Sequence, residues 1–233
     1  MSTFVLVHGA WHGSWCWKRV RRALQSGGHQ VFTPTLTGVG ERAHLLSPRV
    51  DLKTHVDDVV NLIRYEELSD VILCGHSYAG CVVSGVIAQL ADRLRAAVYL
   101  DAFVPADGQS LHDTLPADQR ELQVELAKNV GDGWRVPPIP AEVFNVNFSD
   151  RAWVDAQCTP QPLATFQQGV VRRDLPAART AYIFAAGWSG SPFGQFRDHA
   201  TANGWHTVDM QCGHDVMLDR PEDLTRVLLE VAG

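Results

Sequence analysis

The chain has 233 residues, of which 45% are hydrophobic and 20% charged, a composition typical of one globular domain with a large core. Its 20 lysines and arginines against 26 aspartates and glutamates give a net charge of -6, which provides no basic excess for nucleic acid or an anionic membrane. The five cysteines are odd in number and irregularly spaced, which disfavours a disulfide framework and predicts a cytoplasmic protein.

Short apolar runs alternate with helical patterns along the first hundred residues. The predicted strands are 3–8, 30–34, 71–74 and 96–100, and the predicted helices are 15–26, 52–65 and 81–91. The alternation resumes with strands 181–185 and 206–210 and helices 193–202 and 221–231. This order predicts an α/β fold, a mostly parallel, doubly wound sheet with helices on both faces. The first apolar run is too short for a signal peptide, and no run reaches the roughly 20 residues of a membrane span.

The alternation breaks in the middle of the chain. Prolines stand at 116, 137, 138, 140, 160 and 162, and the helical patterns are short stretches such as 118–129. We interpret residues 105–176 as an inserted helical cap. The predicted core is then formed by residues 1–104 and 177–233.

The segment Gly75-His76-Ser77-Tyr78-Ala79 lies between an apolar strand and an apolar helix. It is close to the nucleophile elbow G-x-S-x-G, in which a strained turn exposes the serine at the carboxyl edge of a sheet. Ala79 replaces the final glycine and Gly80 follows it. A turn rich in small residues gives the same loose pattern, but the strand-to-helix context favours Ser77 as a nucleophile.

A nucleophilic serine needs a base within hydrogen-bond reach. His214 is the best candidate, because it follows the last predicted strand and precedes the last helix. For His8, His12 and His76, hydrogen bonds to backbone groups are the ordinary expectation. His8 and His12 are not spanned by a helix and have no acidic third ligand nearby, so we expect no metal and no cofactor.

Together these motifs resemble the α/β-hydrolases, and in particular the small branch with plant methylesterases, hydroxynitrile lyases and related bacterial esterases. The resemblance covers the whole chain and depends on residues 4–17 (FVLVHGAWHGSWCW), the elbow at Ser77, residues 99–105 (YLDAFVP) and the Gly213-His214-Asp215 loop. It implies that the backbone N–H groups of Ala10 and Tyr78 form an oxyanion hole. It also makes a homodimer possible, since dimers through the cap are common among similar proteins.

This chain differs from the family in the sequence position of the carboxylate that would complete the triad. Most members carry it after the strand that follows the cap, but residues 182–192 contain no carboxylate, and Trp188 stands about where similar proteins have Asp. Asp101 is our preferred acid, because it closes the strand beside the one that carries Ser77. A turn-capping role for Asp101 stays open. The other aspartates that we considered are less suitable: Asp198, Asp209 and Asp215.

The leading hypothesis is a serine hydrolase for a small carboxylic ester or lactone, with an acyl-enzyme on Ser77 and with His214 oriented by Asp101. Two alternatives remain. Cyanohydrin cleavage uses the same triad but needs a lysine near the site in this branch, and none of the chain's lysines occupies an obvious site position: Lys18, Lys53 and Lys128. A non-catalytic small-molecule binding module would explain the missing usual acid. The acyl and alcohol groups stay open.

Overall fold

A six-stranded, all-parallel sheet forms the centre of the computed structural model, which describes residues 1–233. Its strands are β1 (Thr3–Val7), β2 (Gln30–Phe32), β3 (Val71–His76), β4 (Leu94–Leu100), β7 (Thr180–Ala185) and β8 (His206–Met210). The strand order is β2-β1-β3-β4-β7-β8. Two further strands, β5 (Arg135–Val136) and β6 (Gln161–Pro162), form a separate antiparallel pair.

Helices cover both faces of the sheet, as the alternating pattern predicts. They are α1 (Lys18–Ser26), α2 (Leu52–Tyr65), α3 (Ala79–Leu90), α4 (Leu111–Thr114), α5 (Ala117–Val130), α6 (Phe148–Gln157), α7 (Ala164–Gln167), α8 (Gly194–Ala202), α9 (Val216–Asp219) and α10 (Pro221–Ala232). Short 3-10 helices occupy Ser14–Trp17, Gly40–Leu45 and Ala177–Arg179. No helix combines the length and the apolar composition that crossing a bilayer requires.

The two covered faces of the sheet explain why the central strands β1 and β3 are largely apolar rather than alternating. In β1, Val5 and Val7 belong to the hydrophobic cluster on one face, whereas Phe4 and Leu6 belong to the cluster on the other. All six residues of β3 are buried. A parallel strand covered on both sides has no solvent-facing position, so a continuous apolar run is expected.

The predicted doubly wound parallel sheet with helices on both faces is confirmed, with differences at the ends of elements. The first predicted helix is divided, because a 3-10 turn at Ser14–Trp17 precedes α1. The β5–β6 pair was not predicted, since two-residue strands that include Pro162 have no recognisable periodicity.

We use the name cap segment for residues 105–176. It contains α4 to α7 and the β5–β6 pair, and it adds no strand to the six-stranded sheet. A bidentate ion pair joins it to α1: the Arg19 guanidinium lies 2.6 and 2.8 Å from the two Asp150 carboxylate oxygens. The cap segment is therefore attached to the core by a specific polar contact in addition to the chain itself.

Candidate active site

Ser77 occupies a strained turn between β3 and α3. Its φ of 55° lies in the left-handed region, which is uncommon for a residue with a side chain. Two backbone hydrogen bonds tie the turn to the neighbouring strand and its loop: Ser77 N–H donates to Leu100 O at 3.1 Å, and Phe103 N–H donates to Ser77 O at 3.1 Å. The neighbouring strand β4 and the loop after it thus fix the backbone of the predicted nucleophile.

The elbow requires glycine at two places. A Cβ on Gly75 would lie 2.5 Å from Val83 Cγ2, and one on Gly80 would lie 2.0 Å from Phe103 O. Ala79 already carries a Cβ and is accommodated. The close approach that excludes a side chain therefore falls at Gly80, one position beyond the usual final glycine of the motif.

The side chains of Asp101 and His214 are in direct contact. Asp101 Oδ2 lies 2.6 Å from His214 Nδ1, and Asp101 Oδ1 accepts a hydrogen bond from Ala185 N–H at 3.1 Å. Asp101 has a φ of 41°, which directs the chain sharply out of β4. Both side chains are buried. The carboxylate can thus fix the orientation and tautomer of the imidazole.

Burial acts on both members of this pair. It lowers the pKa of His214 to about 4, so the imidazole is neutral at pH 7. Burial also raises the pKa of Asp101, while the hydrogen bond from Ala185 N–H acts in the opposite direction. With Nδ1–H donated to Asp101, His214 Nε2 carries the lone pair and is free to accept a proton.

Ser77 and His214 line one cavity of about 640 Å³ under the cap segment. No direct hydrogen bond joins the two side chains, and catalytic hydrogen bonds commonly tighten only when substrate binds. Most of the lining is apolar and comes from the cap segment, including Leu111, Leu115, Leu122, Leu126, Ile139 and Val143. None of the three lysines lines this cavity.

Two backbone N–H groups beside Ser77 are without a hydrogen-bond acceptor in the protein. They belong to Ala10, in the turn after β1, and to Tyr78, the residue after Ser77. Both residues line the cavity. Unpaired backbone donors are rare away from water, so this pair is suited to an oxygen atom of a ligand.

His12 and Asp215 form a second buried polar pair, and Asp215 directly follows His214 in the sequence. His12 Nε2 is 3.1 Å from Asp215 Oδ2, and His12 Nδ1 is 2.7 Å from Ala10 O. Both ring nitrogens face acceptors, so His12 donates from both and is an imidazolium. The negative charge of Asp215 raises the pKa of His12 in spite of its burial, and His12 in turn lowers the pKa of Asp215.

The other two histidines near the site bond to the backbone, as expected. His76 Nε2 donates to His214 O at 3.0 Å, and His8 Nδ1 donates to Gly9 O at 2.8 Å. For His12 the expectation was incomplete, because its second partner is Asp215, 203 positions away. The only sequence signal was an aspartate directly after the base.

Aromatic rings surround the His214 imidazole. The ring centroids of Phe144, Trp188 and Phe193 lie 5.2, 5.0 and 4.9 Å from that of His214. Trp188, which stands about where similar proteins carry Asp, thus places an indole beside the predicted base, His214. The carboxylate that contacts His214 comes from the end of β4 instead.

The comparisons with known proteins agree with this architecture. A profile described as the alpha/beta hydrolase family matches residues 4–227. The chain is 45% identical over 241 aligned positions, 98% of each sequence, to the carbendazim hydrolyzing esterase of Nocardioides sp. (strain SG-4G). It is 24% identical to methylesterase 10 of Arabidopsis thaliana over 98% of this chain and 91% of that one.

A solved structure has the same fold. The extracellular alpha/beta-hydrolase from a Paenibacillus species superposes with a TM-score of 0.85 at 23% identity, covering 99% of both chains. Fold, family profile and full-length relatives therefore agree, and the resemblance inferred from the motifs is confirmed. The chain belongs to the alpha/beta hydrolase family.

Proposed function

We propose that this protein is a serine esterase that cleaves a small carboxylic ester through an acyl-enzyme on Ser77. The observation that carries the proposal is the 2.6 Å contact between Asp101 Oδ2 and His214 Nδ1, with His214 and Ser77 lining one cavity. A buried carboxylate holds the imidazole with its second nitrogen available, which is the arrangement a general base needs.

The reaction would proceed in two halves. His214 Nε2 removes the proton from Ser77 Oγ as this oxygen attacks the ester carbonyl carbon, and the N–H groups of Ala10 and Tyr78 bind the resulting oxyanion. The imidazolium then protonates the departing alcohol, which leaves the acyl group on Ser77. Water, deprotonated by His214, attacks the acyl-enzyme, and collapse of the second tetrahedral species releases the acid while the His214 imidazolium returns its proton to Ser77 Oγ.

The relatives support an ester as the substrate class. The relative that matches the full chain at 45% identity is named for hydrolysing carbendazim, and several plant relatives are named methylesterases. The cavity of about 640 Å³ with mostly apolar walls favours an aromatic or medium-chain group on one side of the scissile bond. The panel that resolves the acyl and alcohol groups consists of methyl esters, aryl esters, lactones and carbendazim.

We also propose a role for the cap segment, a cellular location and an oligomeric state. The cap segment is an insertion whose role is to cover the substrate, and the remainder of the chain is the hydrolase core. A cytoplasmic location is supported by the five cysteines, all of which are free thiols. A homodimer formed through the cap remains a prediction.

The test compares Ser77→Ala with Ser84→Ala, a buried serine on α3 whose Oγ donates to Gly80 O. With p-nitrophenyl acetate and the ester panel, Ser77→Ala should lose at least about 10³-fold in kcat, whereas Ser84→Ala should stay within about 3-fold. Mandelonitrile tests the alternative, cyanohydrin cleavage. The proposal is wrong if the wild type cleaves no ester, or if Ser77→Ala cleaves esters as fast as the wild type.

A further inference from the structure

The turn that carries the Ala10 N–H is strained. Trp11 has a φ of 64°, a left-handed conformation that costs free energy for a residue with a large side chain. Such a conformation persists only where the surroundings hold it. Its peptide plane matters for the proposed chemistry, because Trp11 directly follows Ala10, whose N–H is one of the two proposed oxyanion donors.

The cap segment holds both polar groups of the Trp11 backbone. Trp11 N–H donates to Gln161 Oε1 at 3.0 Å, and Thr159 N–H donates to Trp11 O at 2.9 Å. Gln161 is 1% exposed, so no water competes for its oxygen. Cap residues 150 positions away in sequence thus anchor a turn of the core.

The orientation of the Gln161 amide is determined by its second partner. Gln161 Nε2 lies 2.9 Å from Thr165 Oγ1, and Thr165 Oγ1 donates its proton to Pro162 O at 2.7 Å. The hydroxyl has one proton, which Pro162 O takes, so the hydroxyl can only accept from Gln161. The amide oxygen must therefore face Trp11.

The peptide between Ala10 and Trp11 is clamped at both ends. Gln161 Oε1 accepts from its N–H, and His12 Nδ1 donates to its carbonyl oxygen, Ala10 O, at 2.7 Å. The neighbouring peptide bears the Ala10 N–H; it joins this fixed plane at Ala10 Cα, and its own carbonyl, Gly9 O, accepts a hydrogen bond from His8 Nδ1 at 2.8 Å. A change in the plane of the Ala10–Trp11 peptide would therefore move Ala10 Cα relative to Gly9 O and alter the direction of the Ala10 N–H.

We propose that Gln161 is a positioning residue for the oxyanion hole: by binding Trp11 N–H it holds the Ala10 N–H in the direction needed for the tetrahedral intermediate. This inference rests on the proposed esterase function. It assigns to the cap segment a part in the chemistry beyond covering the substrate, because one of its side chains orients a group on the core.

The test uses the same substitution at two glutamines of the cap segment. Gln161→Met removes the acceptor with little change in volume. Gln168→Met is the matched control, because Gln168 Oε1 also accepts a core backbone N–H, that of Lys53, at 2.8 Å, and Gln168 does not line the cavity. Gln161→Glu keeps an oxygen that can accept from Trp11 N–H and serves as the rescue variant.

The changes in kcat, in KM and in the inhibition constant of a transition-state analogue distinguish a positioning role from a loss of stability. We expect Gln161→Met to lower kcat about 10- to 100-fold with KM within about 3-fold, since removing an oxyanion donor outright costs about 10²–10³. Its inhibition constant for phenylboronic acid, whose tetrahedral adduct mimics the intermediate, should rise by a similar factor. Gln168→Met should change neither quantity, and Gln161→Glu should recover most of the lost kcat.

If Gln161→Met does not fold, Thr165→Val serves in its place, because it keeps Gln161 but frees the amide to rotate. We then expect a smaller loss of kcat.

A wild-type kcat in Gln161→Met, or equal losses in Gln161→Met and Gln168→Met, would overturn the inference. A wild type without any Ser77-dependent ester cleavage would instead overturn the proposed function, so the two failures are distinct.

Discussion

Asp101 Oδ2 lies 2.6 Å from His214 Nδ1, although 113 positions separate the two residues in the chain. Parallel pairing of β3 with β4 and of β4 with β7 brings Asp101 to the edge of the sheet where Ser77 also lies. The loop that carries Trp188 contributes an aromatic ring to His214 rather than a carboxylate. The end of β4 is thus the position from which an acid reaches the predicted base.

Asp101→Asn tests this assignment. The amide keeps the shape of the side chain but can present an N–H to Nδ1, which would hold His214 in the wrong tautomer. We expect kcat to fall about 10³- to 10⁴-fold, with a melting temperature that shows a folded protein. Asp209→Asn is the control, because Asp209 is on β8 and makes an exposed ion pair with Arg197. A kcat for Asp101→Asn near that of the wild type would contradict the assignment.

The loss of kcat/KM on the acidic side of the pH profile should occur at an unusually low pH. The base acts only when it is neutral, so kcat/KM rises with pH through the pKa of His214 in the free enzyme. Burial lowers this pKa from 6.5 to about 4. We therefore expect nearly full kcat/KM at pH 6, where an ordinary histidine would be mostly protonated, in measurements between pH 4 and 8 with circular dichroism as a control for folding. An apparent pKa at or above 6.5 would contradict this reading.

Removing one partner of the buried pair of His12 and Asp215 should be strongly destabilising, because the other charge is then left buried and unpaired. His12 has a raised pKa, so its contribution is complete below 6.5 and is lost as pH rises through the folded-state value; Asp215 has a lowered pKa, so its contribution is complete above 3.8. At pH 6, Asp215→Asn should lower the free energy of unfolding by about 3–5 kcal/mol, because a buried imidazolium loses its partner.

Denaturant unfolding of two further variants controls for the loss of charge. Asp223→Asn removes an exposed carboxylate that pairs with Arg226, and we expect a change below about 0.5 kcal/mol. The double variant His12→Gln/Asp215→Asn should cost less than the sum of its single variants, because neither charge is then left alone. Additive costs would show that the two residues do not act as a pair.

Gly80, one of the two glycines that the elbow requires, should not tolerate a side chain. A Cβ there meets the backbone oxygen of Phe103 at 2.0 Å, and backbone cannot move aside as a flexible side chain can. We expect Gly80→Ala to lose about 3 kcal/mol or more, or to be insoluble. Gly194→Ala is the matched control, because its Cβ meets nothing within 4 Å; it should be neutral or slightly stabilising in thermal unfolding. Equal stabilities of the two variants would contradict the prediction.

Sequence patterns predict the order of strands and helices in this molecule because the strands are recognisable as short apolar runs. The apolar run 71–74 became part of the buried strand β3, and the loops that follow strands brought Ser77, Asp101 and His214 to one edge. The catalytic roles of these residues stay predictions. Their placement follows from the parallel topology, which alternation of strands and helices indicates.

The contacts that sequence reasoning missed join segments distant in the chain. Asp215 pairs with His12 across 203 positions, and Gln161 binds Trp11 N–H across 150 positions. Neither contact has a periodic signature, because each depends on how loops and the cap segment pack over the sheet. Packing of this kind is a tertiary property that local patterns do not encode.

We propose that Ser77 is a nucleophile that His214 activates. Incubation with a fluorophosphonate probe, followed by peptide mapping in a mass spectrometer, tests it most directly. We predict one adduct, on Ser77, that forms rapidly in the wild type, slows at least about 10³-fold in His214→Gln, and is absent in Ser77→Ala. A wild type that is not labelled at Ser77, or that is labelled equally fast without His214, would contradict the account.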